Sequence, residues 1–192
     1  MDRYCRWAEE GYLSSTGHCF DIGNTVASAL RRYQRERNPY AGSTDPHTAG
    51  NGSIMRLAPV AMRFFPDLEA VEHFAAESSR TTHGAQECID ACRLFAKVIC
   101  RGLLGRSKED VLLGDAGSFF PSERIRAIAC GSYRTKSEEM IRGSGYVVAS
   151  LGAGLGAFAR TTSFGEAILM ASNLGHDADT TAAGGGQVGG GH

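Results

Sequence analysis

An all-α fold is what this sequence predicts, and three observations carry the prediction. Apolar residues recur at helical spacing along most of the chain. No convincing set of strands alternates apolar and polar residues. The periodic segments are separated by Gly-, Pro-, Asn- and Asp-rich loops at residues 38–52 and 113–122. Ile22, Val26, Leu30 and Tyr33 mark one face of a helix for which Asp21 is the expected N-cap. The segment DLEAVEHFAAESS, residues 67–79, places Leu68, Val71, Phe74 and Ala75 on one side. From Gln86 to Leu104 the apolar set is Ile89, Cys92, Phe95, Ala96 and Ile99, a helix with a buried face. Pro121 with Ile125 and Ile128 predicts a shorter helix, and GEAILMASN, residues 165–173, another.

One segment stands apart. YVVASL, residues 146–151, reads as a strand, and with GAGLGA after it the string approaches a dinucleotide-binding G-x-G-x-x-A fingerprint. That fingerprint requires a βαβ unit, and the flanks here are helical, so a nicotinamide-dependent oxidoreductase is the lesser reading. If residues 144–159 are instead a helix, Gly152, Gly154 and Gly156 fall inside it, each costing about 1 kcal/mol relative to Ala.

The bulk numbers bound the answer. With 192 residues the chain is long enough for one domain, 1–192, with a real core. A net charge of −1 gives no electrostatic reason to expect nucleic acid or an anionic membrane as partner. No apolar run approaches the ~20 residues of a membrane span. The opening MDRYCRWAEEGYL is charged and aromatic, unlike a signal peptide. Six cysteines form no C-x-x-C pair, and Cys88, Cys92 and Cys100 recur at helical spacing, which predicts buried thiols in a reducing cytoplasm. Twenty-five glycines are many for this length, and residues 184–192 read as a flexible glycine-rich tail.

Four stretches carry the oxygen, nitrogen and backbone groups that chemistry needs. FDIGNT, residues 20–25, offers Asp21, a cap whose second carboxylate oxygen could meet a ligand or water. In TAGNGSIMRLAPV, residues 48–60, two glycines flank Asn51 ahead of a helix-like segment; backbone N–H groups there suit a phosphate, although G-N-G is also a common turn. SSRTTHGAQE, residues 78–87, places His83 at a helix start with Thr82 as its expected N-cap, where the ring is either structural or a donor to a phosphate or ribose oxygen. HDADTT, residues 176–181, is a dense oxygen cluster. It fails as an EF-hand because Ala182 stands where glycine is required and Val188 where a bidentate Glu is. Asp177, Asp179 and the Thr180 hydroxyl could still meet one hard ion, Mg²⁺, Mn²⁺ or Ca²⁺, with the rest of its shell supplied from elsewhere.

Taken in order, WAEEGYLSSTGHCFDIGNT, AGNGSIMRLAPVA, SSRTTHGA, GYVVASL and NLGHDADTTAA resemble the ADP-ribosylglycohydrolase family along nearly the whole chain. The resemblance implies an all-α fold that binds two divalent ions, Mg²⁺ or Mn²⁺, in a cleft between helices. It implies hydrolysis of the bond between ADP-ribose and an acceptor, either on an ADP-ribosylated protein or in a small-molecule substrate. Carried over by position, Asp177, Asp179 and Thr180 match C-terminal metal ligands. Asp21 matches an acidic residue at the ribose. Gly50, Asn51, Gly52 and Ser53 match the loop along the diphosphate, and His83 a histidine near the same ligand. Members usually begin with G-D-x-x-G and T-D-D segments that supply the other metal ligands. This chain contains no T-D-D, STDP at 43–46 being the nearest string, so the expectation is an N-terminally truncated member. A catalytically silent ADP-ribose-binding or crystallin-like module is the alternative.

Overall fold

The computed structural model describes residues 1–137, 144–173, 179, 182–183 and 186–187. Among them the chain folds into ten α-helices: α1 Asp2–Glu10, α2 Asn24–Glu36, α3 Gly52–Met55, α4 Ala58–Phe64, α5 Leu68–Arg80, α6 Gln86–Leu103, α7 Lys108–Leu113, α8 Glu123–Ala129, α9 Val147–Arg160 and α10 Phe164–Asn173. Short 3-10 turns at Pro46–Thr48 and Ser132–Thr135 join them. The described residues contain no β-strand, only isolated bridges between Ser43 and His83 and between Gly50 and Tyr146.

Helix α6 is the axis of the molecule. Thirteen of its eighteen residues are buried, so it is wrapped by neighbours instead of lying on the surface with one face in the core. Helices α3, α4, α5, α7, α8 and α9 all pack on it. Such burial forces its charged residues to be paired. Lys97 reaches Glu72 at 3.0 Å and Asp115 at 2.8 Å, and Arg93 reaches Glu72 at 2.6 Å and Asp90 at 3.1 Å. Arg101 adds a second cation to Asp115. Asp90 also accepts from the Ser122 backbone N–H at 2.8 Å, which closes the 113–122 loop over the helix.

Several sequence expectations hold and several are corrected. Helices at 67–79, 86–104, 121–128 and 165–173 are present within a residue or two at most ends, and Asp67 caps α5 by accepting from the Glu69 and Ala70 N–H groups. Phe74 is not in the core: it is 40% exposed and stacks on Phe64 with ring centroids 3.9 Å apart. Asp21 is not the cap of α2. That helix starts at Asn24 after Gly23, and Asp21 lies upstream with φ +51, in the left-handed region. Thr82 is likewise not a cap, because α6 begins at Gln86 after Ala85.

The strand reading of 146–151 is overturned. From Val147 onward the segment is the first half of α9, and the G-x-G-x-x-A string lies within that helix, so it cannot form a dinucleotide-binding turn. Burial explains the reversal: Val147, Ser150, Leu151, Ala153, Leu155, Ala157 and Phe158 are all inside, and tertiary packing overrides β-branched propensity. Helices α1, α4 and α7 are too short, at nine, seven and six residues, for periodicity to announce them. Of the expected tail, Gly186 and Gln187 are described; Gln187 accepts from the Ala58 N–H at 3.0 Å and donates to Met55 O at 3.3 Å, tying α3 to α4.

Candidate active-site cleft

One cleft of about 930 Å³ gathers residues from distant parts of the chain. Helix α1 and the turn after it supply Arg3, Tyr4, Trp7, Tyr12 and Leu13. The 21–26 segment supplies Asp21 and Thr25, the 50–56 loop Gly50, Asn51, Gly52 and Arg56, and the turn before α6 Thr82 and His83. Gly145 and Asp179 complete the wall.

The 49–52 loop is held from behind by the start of α9. Ala49 O accepts from Val147 N–H and Gly145 O from Asn51 N–H, both at 3.0 Å. The Asn51 side-chain amide donates to Ser144 O at 3.1 Å and Ser150 Oγ at 2.9 Å. The Gly50 N–H is bonded to Thr48 O at 2.7 Å. Two of the four N–H groups expected for a phosphate are therefore used within the protein. Those of Gly52 and Ser53, in the first turn of α3, have no acceptor among the described residues. The Ser53 side chain does not line the cleft; its hydroxyl is buried without a hydrogen-bond partner among the described residues.

His83 sits directly behind this loop, 2% exposed. A Cβ at Gly52 would lie 3.1 Å from His83 Cε1 and 3.3 Å from Nε2, so glycine there lets the backbone approach the ring. Burial, reinforced by the Arg56 charge, lowers the imidazole pKa to about 4, so the ring is neutral at neutral pH. A second close approach positions the turn: Gly42 and Gly84 lie so near that a Cβ on Gly42 would come 2.5 Å from the Gly84 nitrogen.

Arg56 is the organising side chain that spacing did not reveal. Its guanidinium donates to Tyr4 OH at 2.9 Å, Ser78 Oγ and Ser78 O at 2.8 Å, Thr81 Oγ1 at 3.1 Å and Thr82 Oγ1 at 2.8 Å. It thereby ties α1 and the end of α5 to the loop. The string MRLAPV held the residue in view, but nothing in its period announced these partners. The aromatic wall of Tyr4, Trp7 and Tyr12 was equally unannounced.

A pocket of about 510 Å³ adjoins the cleft and shares Thr25, Gly50 and Gly145 with it. Its far side carries His47, Glu87, Arg124 and Tyr146. Tyr146 donates to Glu87 at 2.6 Å and accepts from Arg124 at 2.7 Å.

Of the sequence-predicted site, the cleft brings together Asp21, Gly50, Asn51, Gly52, His83 and Asp179. Asp177 and Thr180 lie outside the described residues. Asp21 and Asp179 are exposed carboxylates that line the cleft with no salt bridge among the described residues; carboxylate oxygens suit a hard divalent ion, but two of them are too few to fill its shell. Among the described residues, no three His, Cys, Asp or Glu side chains meet as a metal-binding group.

Set beside known proteins, the chain matches the profile of the ADP-ribosylglycohydrolase family over residues 1–191. It is 43% identical over 185 residues to an ADP-ribosylarginine hydrolase, Tri1, of Pseudomonas putida (strain GB-1), covering 96% of this chain and 49% of that protein. The Tri1 of Serratia proteamaculans (strain 568) is 36% identical over 190 residues, covering 98% and 51%. A solved structure described as an ADP-ribosylglycohydrolase-related protein complex superposes with a TM-score of 0.75 at 37% identity, over 88% of this chain and 58% of that one. An all-helical domain with an acidic and glycine-lined cleft thus has its class: the chain belongs to the ADP-ribosylglycohydrolase family. It spans about half the length of the curated relatives it matches.

Proposed function

We propose that this chain carries the ADP-ribose cleft of an enzyme that hydrolyses the glycosidic bond between ADP-ribose and an arginine side chain of a modified protein. The observation that carries the reading is the convergence of Asp21, the Gly50–Gly52 loop, His83 and Asp179 on one cleft. The relatives' designation as ADP-ribosylarginine hydrolases supports arginine as the acceptor. The distal ribose sits at Asp21 and Asp179, and the diphosphate passes along the glycine loop. The adjoining pocket offers the Tyr146 ring to the adenine.

Water adds at the ribose anomeric carbon, the bond to the guanidine nitrogen breaks, and the leaving nitrogen takes a proton. Asp21 orients the ribose and accepts the proton of the attacking water. Asp179, with Asp177 and Thr180 by sequence, would hold Mg²⁺ or Mn²⁺, two ions being the family expectation, and a bound ion would supply Lewis acidity. No helix among the described residues is long and apolar enough to cross a membrane. The described cysteines are all free thiols, four of them buried, which supports a cytoplasmic location.

The test is calorimetric titration of ADP-ribose, with and without Mg²⁺, against the wild type and Asp179→Ala, alongside release of ADP-ribose from an ADP-ribosylarginine peptide. Metal-dependent binding and release, both lost in the variant, are expected. Binding without release would identify a silent binding module instead, and the absence of binding would sink the reading.

A further inference from the structure

We propose that Arg56 and Thr82 are positioning residues that lock His83 as its Nε2–H tautomer, so that a neutral N–H donor meets an anionic oxygen of the ligand at the Gly50–Gly52 loop. The identity of the ligand rests on the ADP-ribose reading; the tautomer does not.

A guanidinium can only donate. Arg56 Nη2 lies 2.8 Å from Thr82 Oγ1, so the threonine oxygen accepts there. Thr82 is 1% exposed, and its own hydroxyl proton needs an acceptor away from water. Among the described residues its other polar contact is His83 Nδ1, at 2.8 Å. If Nδ1 carried the proton and donated, the threonine hydroxyl would be buried with its hydrogen unpaired. Nδ1 therefore accepts, and in a neutral ring the single proton resides on Nε2. The surroundings keep the ring neutral, through burial first and the Arg56 charge second.

The rest of the residue is held as firmly. Its backbone N–H donates to Ser79 O at 2.7 Å, and its carbonyl accepts from Ser79 Oγ at 2.8 Å. Nε2 alone has no partner among the described residues. It lies where side chains on Gly50 or Gly52 would crowd it, their Cβ atoms falling 3.4 and 3.3 Å away. His83 is among the residues that line the cleft. A lone N–H between two side-chain-free positions is matched by an acceptor oxygen, and the loop's own unspent N–H groups at Gly52 and Ser53 favour a negatively charged one, a diphosphate oxygen.

The experiment is a long-range ¹H–¹⁵N correlation of the imidazole ring in uniformly ¹⁵N-labelled protein at pH 7, for the wild type, Thr82→Val and Thr82→Ser, followed by titration with ADP-ribose in Mg²⁺. The wild type and Thr82→Ser should show a protonated Nε2 and an unprotonated Nδ1. Thr82→Val should lose that pattern toward Nδ1–H and bind ADP-ribose about tenfold more weakly. In the wild type, ADP-ribose should shift the Nε2 resonance. A wild-type Nδ1–H pattern, or an unchanged pattern in Thr82→Val, overturns the relay. An Nε2 resonance indifferent to bound ADP-ribose overturns the donor role. If the wild type shows the tautomer but binds no ADP-ribose, the functional reading falls, while the comparison of Thr82→Val with Thr82→Ser still decides the relay.

Discussion

His83 and Asp21 occupy opposite electrostatic situations within one cleft. His83 has surrendered its charge to be buried; Asp21 keeps an exposed carboxylate on a backbone that L-residues adopt reluctantly, at φ +51. Each makes a prediction. The folded His83 has a pKa of about 4 against an ordinary 6.5, so between those values the unfolded chain binds a proton that the folded chain refuses. Unfolding free energy must then rise with pH through this window: the contribution is full above about 6.5 and lost as pH falls toward 4. The shift amounts to about 3 kcal/mol at most. Urea unfolding at pH 4.5 and 7 should show a larger loss for the wild type than for His83→Gln, and equal losses would refute the assignment. At Asp21, asparagine tolerates the left-handed backbone equally well, so Asp21→Asn should leave the melting temperature within about 2 °C while lowering ADP-ribose release at least a hundredfold. A variant that melts much earlier would mean that the carboxylate is structural.

At the scale of elements, α9 shows how far local pattern can mislead. Tyr146, Val147 and Val148 favour extended backbone, and the glycines after them weaken a helix, yet the segment is helical because its partners leave it buried on nearly every side. Gly152 tests whether those glycines are required. A Cβ there would meet only Ile128 Cδ1, at an ordinary 3.8 Å. Gly152→Ala should therefore stabilise the protein by up to about 1 kcal/mol, read as a higher urea midpoint at unchanged slope. A lower midpoint would reveal crowding. Helices α5 and α6 were legible because their apolar positions repeat over three or more turns. Helices α1, α4 and α7 were not, being too short to repeat a pattern, and the start of α2 was misplaced because Asp21 has cap chemistry without cap geometry.

For the molecule as a whole, the cleft is a meeting place of residues from Arg3 to Asp179. A ligand that bridges them ties α1, the glycine loop and the last segment into one unit, and binding stabilises the fold by mass action. At a hundred times its dissociation constant, ADP-ribose with Mg²⁺ should add about 2.7 kcal/mol, several degrees in the thermal midpoint of a chain this long. The shift should vanish in Asp179→Ala. An equal shift in that variant would separate the ligand from the acidic end of the cleft.

By itself the sequence determined that this chain is helical, one buried face of its central helix, and which short strings carry oxygen donors and glycines. Those properties are local, written in the 3.6-residue period and in the chemistry of single side chains. It also contained, in the order of those strings, the family to which the chain belongs. Only the tertiary structure decided that Arg56 gathers five acceptors from α1 and the 78–82 turn, that Ser53 turns inward, and that Gly50 and Asn51 spend their N–H groups on Thr48 and Gly145. A hydrogen bond between residues ninety positions apart leaves no period in the chain. It exists only once packing has brought donor and acceptor within 3 Å and removed the water that would otherwise take its place.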